Sequence, residues 1–201
     1  MSLLFRDHRG SDMPNHPSST PNPEPPRIGL VRGEGVVAQL IGRTLRAEGW
    51  RLAADAAEAH WLVHVTNGRE ADATPILAGL HTFAQRAAPG PCGGIVLLLD
   101  LSPVQVRAGE PPAPFAEALV LRSLQAAVPL LALTFAPRLR VNAIGILPGS
   151  PQLPQGTPEA DIAAALRFVI DAPALTGQMI ALDGGRTALV PPPGLGTSDQ
   201  T

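Results

Sequence analysis

The sequence predicts an α/β domain in three layers, a mostly parallel sheet covered by helices on both faces. Three observations predict it. Short apolar runs alternate with stretches of helical spacing across residues 27–190, the pattern of strands joined by crossover helices. Ile95 to Leu99 is continuously apolar after Gly93-Gly94, as expected of a strand buried on both faces. Ile28 to Val31 leads through Gly33-Glu34-Gly35 into Val36, Val37, Leu40, Ile41 and Leu45, which reads as strand, turn and helix.

Taken in order, residues 1–26 are rich in Pro, Ser, Asn and Asp and cannot bury enough apolar surface to offset the entropy of ordering, so they are expected to be a disordered tail. Arg6, Asp7, His8 and Arg9 interrupt the apolar core that a secretory leader needs. The first helix is expected to stop at Gly49. Arg51 to Ala54 is a second strand ending near Asp55, and Trp61 to Thr66 a third, with Asn67-Gly68 as its exit turn. Ala71 to Ala88 has helical spacing in Ile76, Leu77, Leu80 and Phe83, with Pro75 in its first turn, where a missing N–H is harmless. After the strand at 95–99, Pro103 to Pro114 is a loop, and Phe115 to Ala136 is a long apolar helix that Pro129 should kink near 125–129. Arg140 to Gly145 reads as a buried strand. Thr157 is expected to cap a helix whose first residue is Pro158, leading into Ile162, Leu166, Val169 and Ile170. Met179 to Leu182 is the last strand, turned out by Asp183-Gly184-Gly185, and 191–201 is expected to be a second disordered tail.

A length of 201 residues fits one domain, and a net charge of −2 with 45% hydrophobic residues gives no charge excess pointing to nucleic acid. No stretch is read as a membrane span. Cys92 is the single cysteine, which excludes an intrachain disulfide and a multi-cysteine metal site and fits a cytoplasmic location. All 15 Lys+Arg residues are Arg, and there is no Tyr.

Two segments carry a family resemblance. Arg140-Val141-Asn142-Ala143-Ile144-Gly145, and Thr176-Gly177-Gln178-Met179-Ile180-Ala181-Leu182-Asp183-Gly184-Gly185 preceded by Ala163 to Phe168, resemble the last strands and helix of short-chain dehydrogenases/reductases. Leu97-Leu98-Leu99-Asp100 resembles the branch of pteridine reductases, dihydromonapterin reductase-like, which carries an aspartate where most relatives place a serine. The resemblance covers roughly 115–186 closely and 28–50, 61–68 and 93–100 more loosely. It implies a Rossmann-like fold, shortened here: between Trp50 and Trp61 the family has two helices and a strand, and this chain has room for one strand and a few residues. It also implies oligomers formed through the long helix, the last helix and the last strand.

The family's chemistry needs Tyr-x-x-x-Lys at the start of the long helix, where the phenol exchanges a proton while hydride moves from NAD(P)H and the ammonium lowers the phenol's pKa. Those positions fall on Glu117 and Leu121, and no shift of register can supply a Tyr or a Lys. Arg122, one residue on, is a fixed cation with no phenol to activate. On the cofactor side, Gly33-Glu34-Gly35-Val36-Val37-Ala38 fits G-x-G-x-x-A between strand and helix, and Asp55 lies where a ribose-binding acid is expected. Yet this is not the family's Thr-Gly-x-x-x-Gly-x-Gly, and Glu34 sets a carboxylate where a pyrophosphate would rest. A weak NAD(P)H site using Gly33, Gly35, Asp55 and Asn67, and a plain glycine turn with no cofactor, both remain open. Thr66-Asn67-Gly68 keeps one asparagine of the family's Asn-Asn-Ala-Gly, and Ile146-Leu147 displace the Pro148-Gly149 turn.

His60 and His64 have helix-like ligand spacing but fall on a strand, so no metal is expected. Asp100 and Ser102 read as loop-capping residues and Glu117 as a first-turn carboxylate. The expected function is a degenerate, non-catalytic binding or partner subunit, forming a homo-oligomer or pairing with an intact relative. The alternatives are an NAD(P)H-dependent reductase of a pterin or small carbonyl, with Asp100 or water supplying the proton, and a nucleotide sensor without turnover.

Overall fold

The computed structural model describes residues 27–88, 93–104, 115–147 and 156–185; Cys92, Pro148-Gly149, most of the loop before the long helix and both expected tails lie outside them. The elements are β1 (Ile28–Arg32), α1 (Gly35–Ala47), β2 (Arg51–Leu52), β3 (Trp61–Val65), α2 (Thr74–Arg86), β4 (Gly94–Asp100), α3 (Phe115–Phe135), β5 (Arg140–Ile146), α4 (Glu159–Asp171) and β6 (Met179–Leu182), with 3-10 turns at Ala56–Glu58 and Ser102–Val104. They build one six-stranded sheet in the order β2-β1-β3-β4-β5-β6, every pair parallel. This is the Rossmann-like α/β sandwich expected.

Strand periodicity divides the core. Leu30, Leu62, Ile95 and Val141 stand in register across four strands and face α2 and α3, while Val63 and Val96 in the next row face α1 and α4. Because both faces are covered, β4 is buried at every position, which explains its unbroken apolar run. The two tryptophans fit because glycines leave them room. A Cβ on Gly29 would lie 3.2 Å from the Trp50 ring, and one on Gly94 would lie 2.6 Å from the Trp61 ring. α1 ends as expected at Gly49, in the left-handed region at φ +81°, and the Trp50 N–H donates to Leu45 O.

β2 is shorter than the expected 51–54, and the chain passes from it across β1 to β3 with one 3-10 turn and no helix. Ala56 and Ala59 of that segment pack into the α2/α3 core. The sheet therefore ends at a two-residue strand. α2 is shorter than its apolar spacing suggested because Asp72 accepts from Thr74 N–H at 2.8 Å and fixes the start.

α3 runs from 115 to 135 as one helix that continues through Pro129, on its exposed face. Two expectations are corrected. α3 is also long and apolar enough, by length and composition, to cross a membrane. Here it lies on the sheet, with Val120, Leu121, Leu124, Val128, Ala132 and Phe135 buried. Thr157 does not cap α4. Its hydroxyl accepts from Leu147 N–H at 2.9 Å and donates to Leu182 O at 2.6 Å, so it ties the end of β5 to the end of β6, and Pro158 takes the cap position.

Candidate functional site

In an open parallel sheet the ligand crevice lies beyond the carboxyl ends of the strands, where strand order reverses. Here that point lies between β1 and β3, since β2 lies on one side of β1 and β3 to β6 on the other. Gly33, just past β1, has φ +116°, and a Cβ there would lie 2.3 Å from Val65 O, so only glycine lets the turn close against the end of β3. Gly35 has φ +86° with open space around it, and α1 begins there. Glu34 precedes α1 without capping it through its side chain. Beside this turn lies a cleft of about 790 Å³ lined by Gly33, Glu34 and Gly35, by Gln39, Arg43 and Arg46 of α1, and by Leu52 at the end of β2 with Ala53 and Ala54 after it.

The structure brings Gly33 and Gly35 together but not the other two expected cofactor residues. The Asp55 carboxylate accepts from Ala57 N–H at 2.8 Å and pairs with Arg86 of α2 at 3.1 Å, on the other side of the sheet from α1. The Ala57 N–H first, and then Arg86, hold its pKa below the ordinary value. Asn67 is exposed: its Oδ1 accepts from Arg69 N–H at 2.9 Å while its own N–H donates to Glu70 at 2.8 Å, so it shapes the exit of β3. Arg43 and Arg46 were missed by sequence reasoning. Their i, i+3 spacing on the flank of α1 beside a short β2 was the available signal.

Asp100 ends β4 at 7% exposure. Its Oδ1 accepts from Ser102 N–H at 2.8 Å, its N–H donates to Thr66 Oγ1 at 3.0 Å, and a Cβ on Gly68 would lie 2.5 Å from its Oδ2. Burial raises its pKa above the ordinary value; the Ser102 hydrogen bonds oppose this, and the charges of Glu70 and Glu117 add to it. This is the loop-capping geometry expected of Asp100, in a setting that favours the protonated carboxyl.

On α3, Glu117 stands half-buried in the first turn, whereas Leu121 is 4% exposed and part of the core. Arg122 points outward and donates to Gln125 at 3.1 Å. His64 is half-buried, and burial, opposed by Glu70, lowers its pKa. No group of three or more His, Cys, Asp or Glu able to hold a metal occurs among the described residues.

At the opposite edge of the sheet, where β5 and β6 begin, polar groups lock the two strands. Asn142 lies in the same row as Val31, Val63 and Val96, yet is fully buried. It donates to Leu175 O at 2.9 Å and accepts from Gln178 N–H at 3.1 Å. The Arg140 guanidinium lies over the Trp61 ring at 4.8 Å and donates to Val169 O, Ile170 O and Ala172 O at 2.7–2.9 Å, satisfying the carbonyls at the end of α4. A second cleft of about 530 Å³ lies at the carboxyl ends of β5 and β6, lined by Leu147, Thr157, Asp161, Leu182 and the buried Asp183 among others.

Solved structures share this architecture. FolM alternative dihydrofolate reductase 1 from Brucella suis, in complex with NADP, is 19% identical with a TM-score of 0.63, over 83% of this chain and 98% of that one. The TT0495 protein from Thermus thermophilus is 18% identical with a TM-score of 0.62, over 82% and 100%. The enoyl-[acyl-carrier-protein] reductase (NADH) from Aquifex aeolicus VF5 is 15% identical with a TM-score of 0.62, over 82% and 97%. The chain matches none of the curated proteins with which it was compared. Residues 114–182, from the start of α3 to the end of β6, match the model of a family described as SDR-like, short chain dehydrogenase-like protein.

Proposed function

We propose that the protein is a cytoplasmic short-chain-dehydrogenase-like subunit that binds and assembles without transferring hydride. The observation that carries this reading is the pair Glu117 and Leu121 in a chain without Tyr or Lys: the first position offers a carboxylate in place of a phenol, and the second is hydrocarbon in the core. Neither supplies the proton exchange and fixed cation that carbonyl reduction uses beside a nicotinamide. Assembly is supported by the outer stripe of α3, where Phe115, Leu119, Leu130 and Leu133 are 81%, 53%, 64% and 77% exposed. Such a stripe belongs against another subunit, either a second copy or an intact relative. Incubation with NADPH and a dihydropterin is expected to give no cofactor oxidation, and light scattering to give a dimer or larger species. A stable monomer that co-purifies with nothing from its native cell overturns the assembly half.

Asp100 favours a second reading, an NAD(P)H-dependent reductase of the pteridine-reductase kind. Its carboxyl is buried at the crest and biased toward the protonated form, and the similar Brucella suis enzyme was solved with NADP. Enzyme-like NADPH oxidation that disappears in Asp100→Asn selects this reading over the first.

A further inference from the structure

Between Thr66 and Thr74 the chain leaves β3 and returns as α2, and the two ends of this passage are held while its middle is not. Thr66 is stitched to β4. Its N–H donates to Leu98 O at 2.9 Å, and its hydroxyl donates to the same oxygen at 3.2 Å and accepts from Asp100 N–H at 3.0 Å. At the other end Asp72 accepts from Thr74 N–H at 2.8 Å. Among the described residues, 67–70 hydrogen-bond only to one another, through Arg69 N–H to Asn67 Oδ1 and Asn67 N–H to Glu70 Oε1. The contact that seats this turn is Gly68, at φ +71°, laid against the Asp100 carboxyl: a Cβ there would lie 2.5 Å from Oδ2, 2.8 Å from Cγ and 3.1 Å from Cβ.

No cation acts on that carboxyl among the described residues. Glu70 of the turn and Glu117 of α3 act on it as like charges, and Ser102, in the 3-10 turn after β4, is its hydrogen-bond partner. His64 of β3 interacts with Glu70 and Arg32, and Arg69 is exposed and forms no ion pair among the described residues. Burial, opposed by the Ser102 hydrogen bonds and reinforced by the two glutamates, favours the neutral carboxyl. A carboxylate at 7% exposure needs water or a counter-charge, and the side closed by Gly68 is the side that no hydrogen bond holds shut.

We propose that residues 67–70 are a proton-operated latch at the crest, closed on Asp100 while its carboxyl is neutral and lifted when it ionises. Ionisation leaves a desolvated charge under Gly68 and sets it against Glu70, which the turn itself carries. Lifting the turn admits water to the charge and separates the two carboxylates. Gly33 of the turn after β1 closes on Val65 O, so the latch borders the crevice where strand order reverses. Rising pH therefore uncovers the middle of the crest, whichever reading of the protein's function holds.

The test is amide hydrogen exchange of the full chain between about pH 4 and 8, read by mass spectrometry on peptides covering 66–73 and corrected for the chemical exchange rate at each pH. Protection at Asn67 and Arg69 is expected to fall at least about threefold as pH rises, while β4 stays protected throughout, which marks the opening as local. Asp100→Asn, neutral at every pH, is expected to stay closed across the range. Gly68→Ala, whose Cβ overlaps the carboxyl, is expected to exchange fast in the turn at every pH with β4 still protected. Level protection across the range in the unmodified chain, the same pH dependence in Asp100→Asn, or full protection of the turn in Gly68→Ala overturns the proposal, the second because it would assign the titration to His64 or Glu70.

Discussion

The two ends of the sheet have been treated differently. At the β5–β6 end, buried and half-buried polar groups tie β5, α4 and β6 together: Asn142 holds the loop before β6, Arg140 holds the end of α4, and Thr157 joins the ends of β5 and β6. At the β1–β2 end the edge strand has two residues, its connection to β3 has no helix, and Asp55 pairs with Arg86 and holds a turn. The matched family segment, 114–182, coincides with the first region. The difference teaches that one end of a parallel sheet can be closely tied while the other ends in a short, open edge, because the residues that make the two ends are largely separate in this fold.

If the α3–β6 region is the stabilising half, variants there should cost most. Leu124→Ala empties a position 1% exposed between α3 and the sheet and is expected to cost about 2–5 kcal/mol in denaturant unfolding, the range for buried leucine truncations. Asn142→Leu comes next. The branched shape and heavy-atom count are kept, although leucine is bulkier, and Leu175 O and Gln178 N–H lose their partner inside the protein, at about 1–3 kcal/mol per stranded group. A loss under about 1 kcal/mol for either would break the comparison.

How far these regions could be read beforehand also differs. Strand and helix identities were legible because burial on two faces leaves continuous apolar runs such as Ile95 to Leu99, and because Gly49 stops α1 by its conformation alone. The long-range polar ties were not legible. Thr157 before Pro158 has the local pattern of a helix cap, but its hydroxyl is claimed by Leu147 and Leu182, and no local rule reports a partner 25 residues away. Asp55 is a second case: its spacing from Gly35 suits a ribose, and its pairing with Arg86, 31 residues on, could not be read from that spacing. Gly33 and Gly35 were legible because φ above zero is a property of the residue itself.

Asp100 gives a smaller effect that sharpens the comparison at the middle of the crest. Its folded pKa is raised above 3.8, so between the unfolded and folded values the native state holds more protons, and stability falls as pH rises through that window. Below both values Asp100 makes no difference; above both, its full penalty is present. Asp100→Asn keeps an acceptor for Ser102 N–H and is expected to flatten that part of the stability-against-pH curve, with equal or higher stability at neutral pH. An unchanged slope would mean that the carboxyl is not desolvated in solution.

The smallest expected effect on the fold lies on the outer stripe of α3, within the stable region. Leu133→Gln and Phe115→Gln alter side chains 77% and 81% exposed, so in the isolated chain each is expected to shift stability by no more than about 0.5 kcal/mol. If the stripe is a contact between subunits, the same pair should lower the mass measured by light scattering at fixed concentration, and Leu119 and Leu130 would then face water. A large loss of stability in dilute protein would place these side chains in the fold itself. A small loss with a fall in mass assigns α3 two separate jobs, one face for the sheet and one for a neighbour.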